Sequence, residues 1–190
     1  MRKIILASSS PRRRELLERA GVSFVVDVPG VDEDMTQRVS PKKLVQNLAL
    51  AKAAAVALRH KDAIVIAADT VAALGSRRWS KPESKKEASM ILRALSGKTH
   101  DVWTGFAIID TKTGARIVRA VKTRVTFRSL TSKEIQMYVA TGEPMDGAGG
   151  YKMQGAGGFV IASIHGDYNN ILGMPLPAVL VALKQFGVRV

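Results

Sequence analysis

The chain has 190 residues, 46% of them hydrophobic, which suits one packed domain or two small lobes sharing a core. Lys and Arg number 29 against 16 Asp and Glu, a formal charge of +13, and this points to an anionic partner such as a nucleotide or nucleic acid. Cysteine is absent, so disulfides and thiolate metal sites are excluded. Aromatic residues make up only 5% and do not interleave with the basic ones, which argues against a single-strand binder and for no specific nucleic-acid partner. No apolar run is long enough to span a bilayer, and the first one stops at Ala7, too early for a secretory core. A cytoplasmic protein without a membrane partner is expected.

Residues 4–7 read as a short buried strand. Ser10 before Pro11 marks a helix start, Leu16, Leu17 and Ala20 give that helix an apolar face, and Gly21 ends it. Its first turn carries Arg12, Arg13 and Arg14. The macrodipole is positive there, and each such charge works against the helix by roughly 0.3–1 kcal/mol. Three breaches of one local rule point to a compensating anion, because a strand, a serine-rich turn and a helix N-terminus beside arginines form a phosphate cradle.

Residues 24–28 form a second apolar run, followed by three carboxylates, Asp32, Glu33 and Asp34. Ser40-Pro41 opens a helix in which Leu44, Val45, Leu48, Ala51 and Ala55 keep helical spacing and which includes Lys52. Residues 63–68 are continuously apolar and read as a central strand ending in Asp69-Thr70. A small hairpin turning at Gly75-Ser76, then Lys81-Pro82 and a helix over about 84–95 come next. Two long strands, 102–109 and 117–127, flank a turn at Lys112-Thr113-Gly114. Thr131 and Glu134 form a capping box, residues 142–158 form a long glycine-rich loop, and 169–175 lead into a last amphipathic helix. The alternation is that of an α/β protein.

Ser96-Gly97-Lys98-Thr99 imitates the end of a phosphate-binding loop, but Leu92 stands where the first glycine belongs and a strand follows, so an ordinary helix–strand turn is expected. His60, His100 and His165 show no metal-ligand spacing, and a histidine base is not expected. Carboxylates and cations remain. Asp69, at the end of a central strand, could activate water or hold a divalent metal, with Glu33 as a second ligand. Lys52 and Lys81 could neutralise phosphate.

The motifs Ser8-Ser9-Ser10-Pro11-Arg12-Arg13, Ala68-Asp69-Thr70, Lys81-Pro82, Leu95-Ser96-Gly97-Lys98-Thr99-His100, Gly142-Glu143-Pro144 and Tyr151-Lys152-Met153-Gln154-Gly155 occur in the order seen in Maf-like proteins, and the resemblance covers nearly the whole chain. It implies a single domain over 1–190: a two-lobed mixed sheet with flanking helices and a central cleft, resembling the inosine-triphosphate pyrophosphatase fold. It also implies a nucleoside triphosphate pyrophosphatase, a divalent cation (magnesium or manganese) and a homodimer. By this resemblance Asp69 matches the proton acceptor, Arg12, Thr70 and Gln154 match positions linked to substrate choice, and Ser8, Arg13, Glu33, Lys52 and Lys81 match further cleft residues. The glutamine context resembles the branch acting on dTTP and UTP; the sister branch acting on 7-methyl-GTP carries glutamate. One departure stands out: family members usually have lysine after the aspartate of the Gly-Glu-Pro segment, whereas Gly147 follows Asp146 here, with Lys152 five residues on as a replacement charge. The competing readings are the sister activity and a nucleotide- or nucleic-acid-binding regulator that does no chemistry.

Overall fold

The structure, a computed structural model, describes residues 2–188. The first apolar run forms β1 (Lys3–Leu6), paired in parallel with β3 (Ala63–Leu74) and with a two-residue β2 (Val25–Val26). β3 turns at Gly75-Ser76 into an antiparallel partner, β4 (Arg77–Trp79). β5 (Thr99–Asp110), β6 (Arg116–Phe127) and β7 (Ile161–His165) complete a seven-stranded mixed sheet in the order β2-β1-β3-β5-β6-β7, with β4 on β3. The helices are α1 (Pro11–Arg19), α2 (Pro41–Ala57), α3 (Lys85–Leu95), α4 (Ser132–Ala140), the single turn α5 (Tyr168–Ile171) and α6 (Leu176–Lys184).

Local chemistry sets the helix starts. Ser40 Oγ accepts from Lys43 N at 3.3 Å, Ser84 Oγ accepts from Glu87 N at 3.1 Å, and Thr131 with Glu134 closes the expected capping box. Ser10 is different. It precedes α1, yet its side chain caps nothing, and its own N–H donates to Ser8 Oγ at 3.1 Å. The imitation phosphate loop is a helix–strand turn, in which Gly97 N donates to Arg128 O at 3.1 Å and Ser96 Oγ accepts from Leu130 N at 2.8 Å.

The chain divides into two compact units. Among the described residues, one takes 2–69, Thr104–Val121 and 172–188; the other takes Thr70–Trp103 and Lys122–Ile171. In the first, Ile5 and Ala7 of the β1 segment and Val65 and Ala67 of β3 meet Ala49, Ala53 and Val56 of α2. Their spacing of two puts them on one sheet face. Small side chains on both sides bring helix and sheet close. At Gly105 of β5 the backbones come close, since a Cβ there would run into the Val45 carbonyl of α2. This contact seats the helix that carries Lys52. In the second unit, Ile91, Leu92 and Leu95 of α3 share a core with Ile135, Tyr138 and Val139 of α4 and with Phe127 of β6.

Three expectations needed correction, and one strand went unread. Asp69-Thr70 does not end its strand but lies inside the twelve residues of β3. Pairing with β1 stops at Ile66 and pairing with β4 begins at Ala72, so 67–71 lie between the two partners. The strand runs on because Val71, Ala72 and Ala73 are buried too. The run 24–28 yields only two strand residues, with Val25 and Val28 half exposed. The loop 142–158 contains two 3₁₀ turns, Glu143–Asp146 and Gly155–Val160. β7 escaped sequence reading because four of its five residues are exposed, which leaves no apolar alternation to detect.

The Gly105 contact predicts that Gly105→Ala destabilises the fold by about 1–3 kcal/mol, the usual overpacking range. Thermal unfolding should show the loss as a lowered Tm. An unchanged Tm would mean that α2 can shift without penalty.

Candidate active site

The first cluster of functional side chains is built within the first unit. Ser8 follows β1 and is buried; Arg12 and Arg13 are the second and third residues of α1. Arg13 does not extend into solvent. Its Nε donates to the Gly173 carbonyl at 2.8 Å and a terminal N–H donates to Ser8 Oγ at 3.3 Å. Burial pulls its pKa below the usual guanidinium range; the charges of Asp69 and Glu33 oppose this and Arg12 adds to it. Arginine stays charged even so.

Lys52, in the middle of α2, is buried, and its ammonium donates to two carboxylates: Glu33 Oε1 at 2.6 Å and Asp69 Oδ1 through a very short contact. Asp69 is only 4% exposed, while the Glu33 side chain is 44% exposed. Burial raises the Asp69 pKa; Lys52 and Arg13 oppose the rise and Glu33 reinforces it. Asp69 Oδ2 is buried with no hydrogen-bond partner. A buried acceptor in this state costs free energy unless something completes it. The cluster therefore presents an unfilled carboxylate oxygen, a second carboxylate open to solvent, one ammonium that holds both, and the Arg13 guanidinium within electrostatic reach.

The second cluster lies in the second unit. Thr70 follows Asp69 on β3, so its side chain takes the opposite face of the strand. Lys81 Nζ lies 2.6 Å from Asp146 Oδ1, and Lys152 Nζ lies 3.3 Å from Asp146 Oδ2. Gln154, half-buried and extended (φ −85°, ψ 145°), precedes the second 3₁₀ turn without its side chain capping it. Backbone anchors hold this loop. Tyr138 Oη accepts from Lys152 N at 3.0 Å, Tyr151 Oη meets His100 Nε2 at 2.9 Å, and Glu143 Oε2 accepts from Gly157 N at 3.0 Å. His100, Tyr151 and Phe127 pack edge to face, with centroids 4.8–5.5 Å apart. Burial lowers the His100 pKa to about 4, so the ring is neutral near pH 7 and serves as an anchor.

Loop geometry also accounts for the missing lysine at 147. The backbone there is ordinary (φ −124°), but a Cβ would run into the Tyr151 carbonyl. The positive charge instead reaches Asp146 from Lys152.

The structure thus brings together Ser8, Arg13, Glu33, Lys52 and Asp69, with Arg12 close enough to repel Arg13, and it places Lys81 on Asp146. The sequence reading missed the Gly173 carbonyl as the acceptor for Arg13, which no side-chain pattern could reveal, and Asp146 as the partner of two lysines. Among the described residues, no group of three or more His, Cys, Asp and Glu could enclose a metal. The donor set fits a different kind of cation site, one that takes one or two carboxylates and completes its shell with water and phosphate oxygens. The bare Asp69 Oδ2 and solvent-open Glu33 suit it.

A seven-stranded mixed sheet flanked by helices, with a buried acid held by a buried lysine, defines an α/β protein. A family model described as Maf-like protein matches residues 3–186, and the chain belongs to that family. It is 48% identical over 190 residues to a dTTP/UTP pyrophosphatase of Desulforamulus reducens, with 100% of both chains covered. It is 47% identical to a dTTP/UTP pyrophosphatase of Moorella thermoacetica and 48% identical to one of Bacillus anthracis; each match covers 100% of this chain and 98% of the relative. Among the described residues, no helix is long and apolar enough to cross a membrane.

A carboxyl whose folded pKa is raised adds stability when protonated and loses that contribution as pH rises through the folded value. Asp69 is such a group. Asp69→Asn removes this pH dependence and also the charged partner of buried Lys52, so its Tm relative to the wild type should be highest at alkaline pH and fall as the pH is lowered. Parallel melts from alkaline to acid pH check it; a Tm difference that does not change with pH would show that the Asp69 carboxyl titrates alike in the folded and unfolded chain.

Proposed function

We propose that the protein is a nucleoside triphosphate pyrophosphatase acting on dTTP and UTP, releasing the monophosphate and pyrophosphate. The observation that carries this is Asp69: a buried carboxylate with one unpartnered oxygen, set among Arg13, Lys52 and Glu33. A protein that only bound phosphate would have no use for that acid. The full-length relatives at 47–48% identity carry the same name.

In this reading water attacks the α-phosphorus, the bond from that phosphorus to the bridging oxygen breaks, and pyrophosphate leaves with the bond's electrons. Asp69 orients the water and takes its proton; the upward pull of burial makes it a better base than an exposed aspartate. Lys52 holds Asp69 and Glu33 in place, and Arg12 and Arg13, on the uncapped first turn of α1, receive phosphoryl charge together with the helix N–H groups. Asp69 and Glu33 would also hold a magnesium or manganese ion, which when bound supplies positive charge to the polyphosphate. Thr70 and Lys81 complete the substrate contacts. The family resemblance extends the reading to a homodimer working in the cytoplasm.

Gln154 reads the base. Its amide can accept from N3–H and donate to O4 of thymine or uracil, and pairing of buried polar groups rejects mismatched partners strongly.

Pyrophosphate release over dTTP, UTP, CTP, ATP, GTP and 7-methyl-GTP, with and without divalent cation, tests the reading. dTTP and UTP should lead, and excess chelator should abolish turnover. Asp69→Asn should lower kcat by about 10²–10⁴-fold, the span of a general base. Leading activity on 7-methyl-GTP would transfer the chain to the sister branch, and no turnover at all would favour a binding protein.

A separate comparison of kcat/KM in Gln154→Glu checks the base contact. An ionised carboxylate cannot donate to O4, so the advantage of dTTP and UTP over CTP should narrow. An unchanged ratio would remove Gln154 from base selection.

A further inference from the structure

We propose that Lys81, Asp146 and Lys152 form a pyrophosphate subsite, in which one carboxylate holds two ammonium groups together for a ligand with two adjacent anionic phosphoryl groups. The proposal rests on the pyrophosphatase reading for its place in the reaction, but it makes its own claim: Lys152 is a ligand-binding residue.

Asp146 carries one charge and faces two lysines, with Lys81 Nζ at 2.6 Å from one oxygen and Lys152 Nζ at 3.3 Å from the other. The three side chains are 54%, 40% and 27% exposed for Lys81, Asp146 and Lys152. Ion pairs this accessible add little to stability, at most about 1 kcal/mol each. Stability therefore does not explain the group. Two cations on one anion leave a net positive charge, and an ammonium has three N–H donors, more than one carboxylate oxygen uses. A monophosphate offers one anionic centre to such a pair. A pyrophosphoryl group offers two, linked by an oxygen, and can engage both lysines at once.

The surrounding backbone is made to hold that spacing. Gly149 N donates to Ser80 O at 2.9 Å, which ties the residue before Lys81 to the loop that carries Lys152. Lys152 N is fixed to the buried Tyr138 hydroxyl, and Tyr151 beside it is fixed to buried His100. Gly147 leaves room for the Tyr151 carbonyl, so the loop can carry its charge at 152 and not at 147. Preorganised cations of this kind lower the cost of ordering the ligand contacts.

The test is a calorimetric titration of the whole protein with inorganic pyrophosphate, orthophosphate and dTMP, at low and high salt, beside dTTP hydrolysis. Lys152→Met keeps the aliphatic stem and removes the charge. It should weaken pyrophosphate binding by about tenfold or more, equivalent to losing a charge-assisted hydrogen bond. It should leave dTMP binding and Tm near wild type and raise KM for dTTP more than it lowers kcat. Lys152→Arg should restore most of the pyrophosphate affinity, and Lys112→Met, at an exposed turn, should change nothing. Pyrophosphate affinity that is absent in the wild type, or equal in Lys152→Met and wild type, would overturn the subsite. Lys152-dependent pyrophosphate binding in a protein that hydrolyses no nucleotide would keep the subsite and overturn the pyrophosphatase reading. Normal hydrolysis with no effect at Lys152 would do the reverse.

Discussion

One buried ammonium organises the chemistry of this chain. Lys52 donates to Asp69 from within the core and to Glu33 at its margin, so a single lysine sets the separation of two carboxylates. Ionised groups this deep are tolerated only when paired and hydrogen-bonded. The rest of the first unit serves that condition. α2 must lie hard against the sheet to bring Lys52 to β3, and alanines on both faces with glycine at 105 make that approach possible. The arrangement is incomplete by design: Lys52 covers one oxygen of Asp69 and leaves the other bare. The fold thus keeps an unmet acceptor where it is most costly, and ligand or water can meet it.

Much of this was legible in the residues, and the parts that were not share a cause. Helix starts at Ser40, Ser84 and Thr131 were readable because a cap is a local bargain between one side chain and the next turn. The three arginines were readable as a breach of helix electrostatics, and the structure draws Arg13 inward and away from solvent. Asp69 was picked out as a candidate, and its place within the strand was misread. A switch of partners from β1 to β4 leaves no mark in composition, since the apolar run continues on both sides. β7 and the tie between Asp146 and two lysines depend on pairing between distant segments, one through backbone and one through loop geometry. Neither has a local period or a cap to betray it.

The two clusters differ in how their charges are kept. Asp69 and Lys52 are buried, so salt screens their contact weakly, and desolvation is the largest influence on the Asp69 carboxyl, while Glu33 beside them stays open to solvent. Around Asp146 the three side chains are between 27% and 54% exposed, so ionic strength acts on them more strongly.

The contact between Arg13 and the Gly173 carbonyl joins positions 160 residues apart. It has a consequence for the order in which the molecule is made. α1 can form as soon as it leaves the ribosome, since its backbone hydrogen bonds are local, and β1 waits only for β2 and β3. The guanidinium cannot take its final place until residue 173 has emerged. A nascent chain stalled before that point would have α1 and its three arginines, with Arg13 lacking its carbonyl partner. The seat of Arg13 is therefore among the last features the growing polypeptide completes, although Arg13 itself is among the first residues to be synthesised.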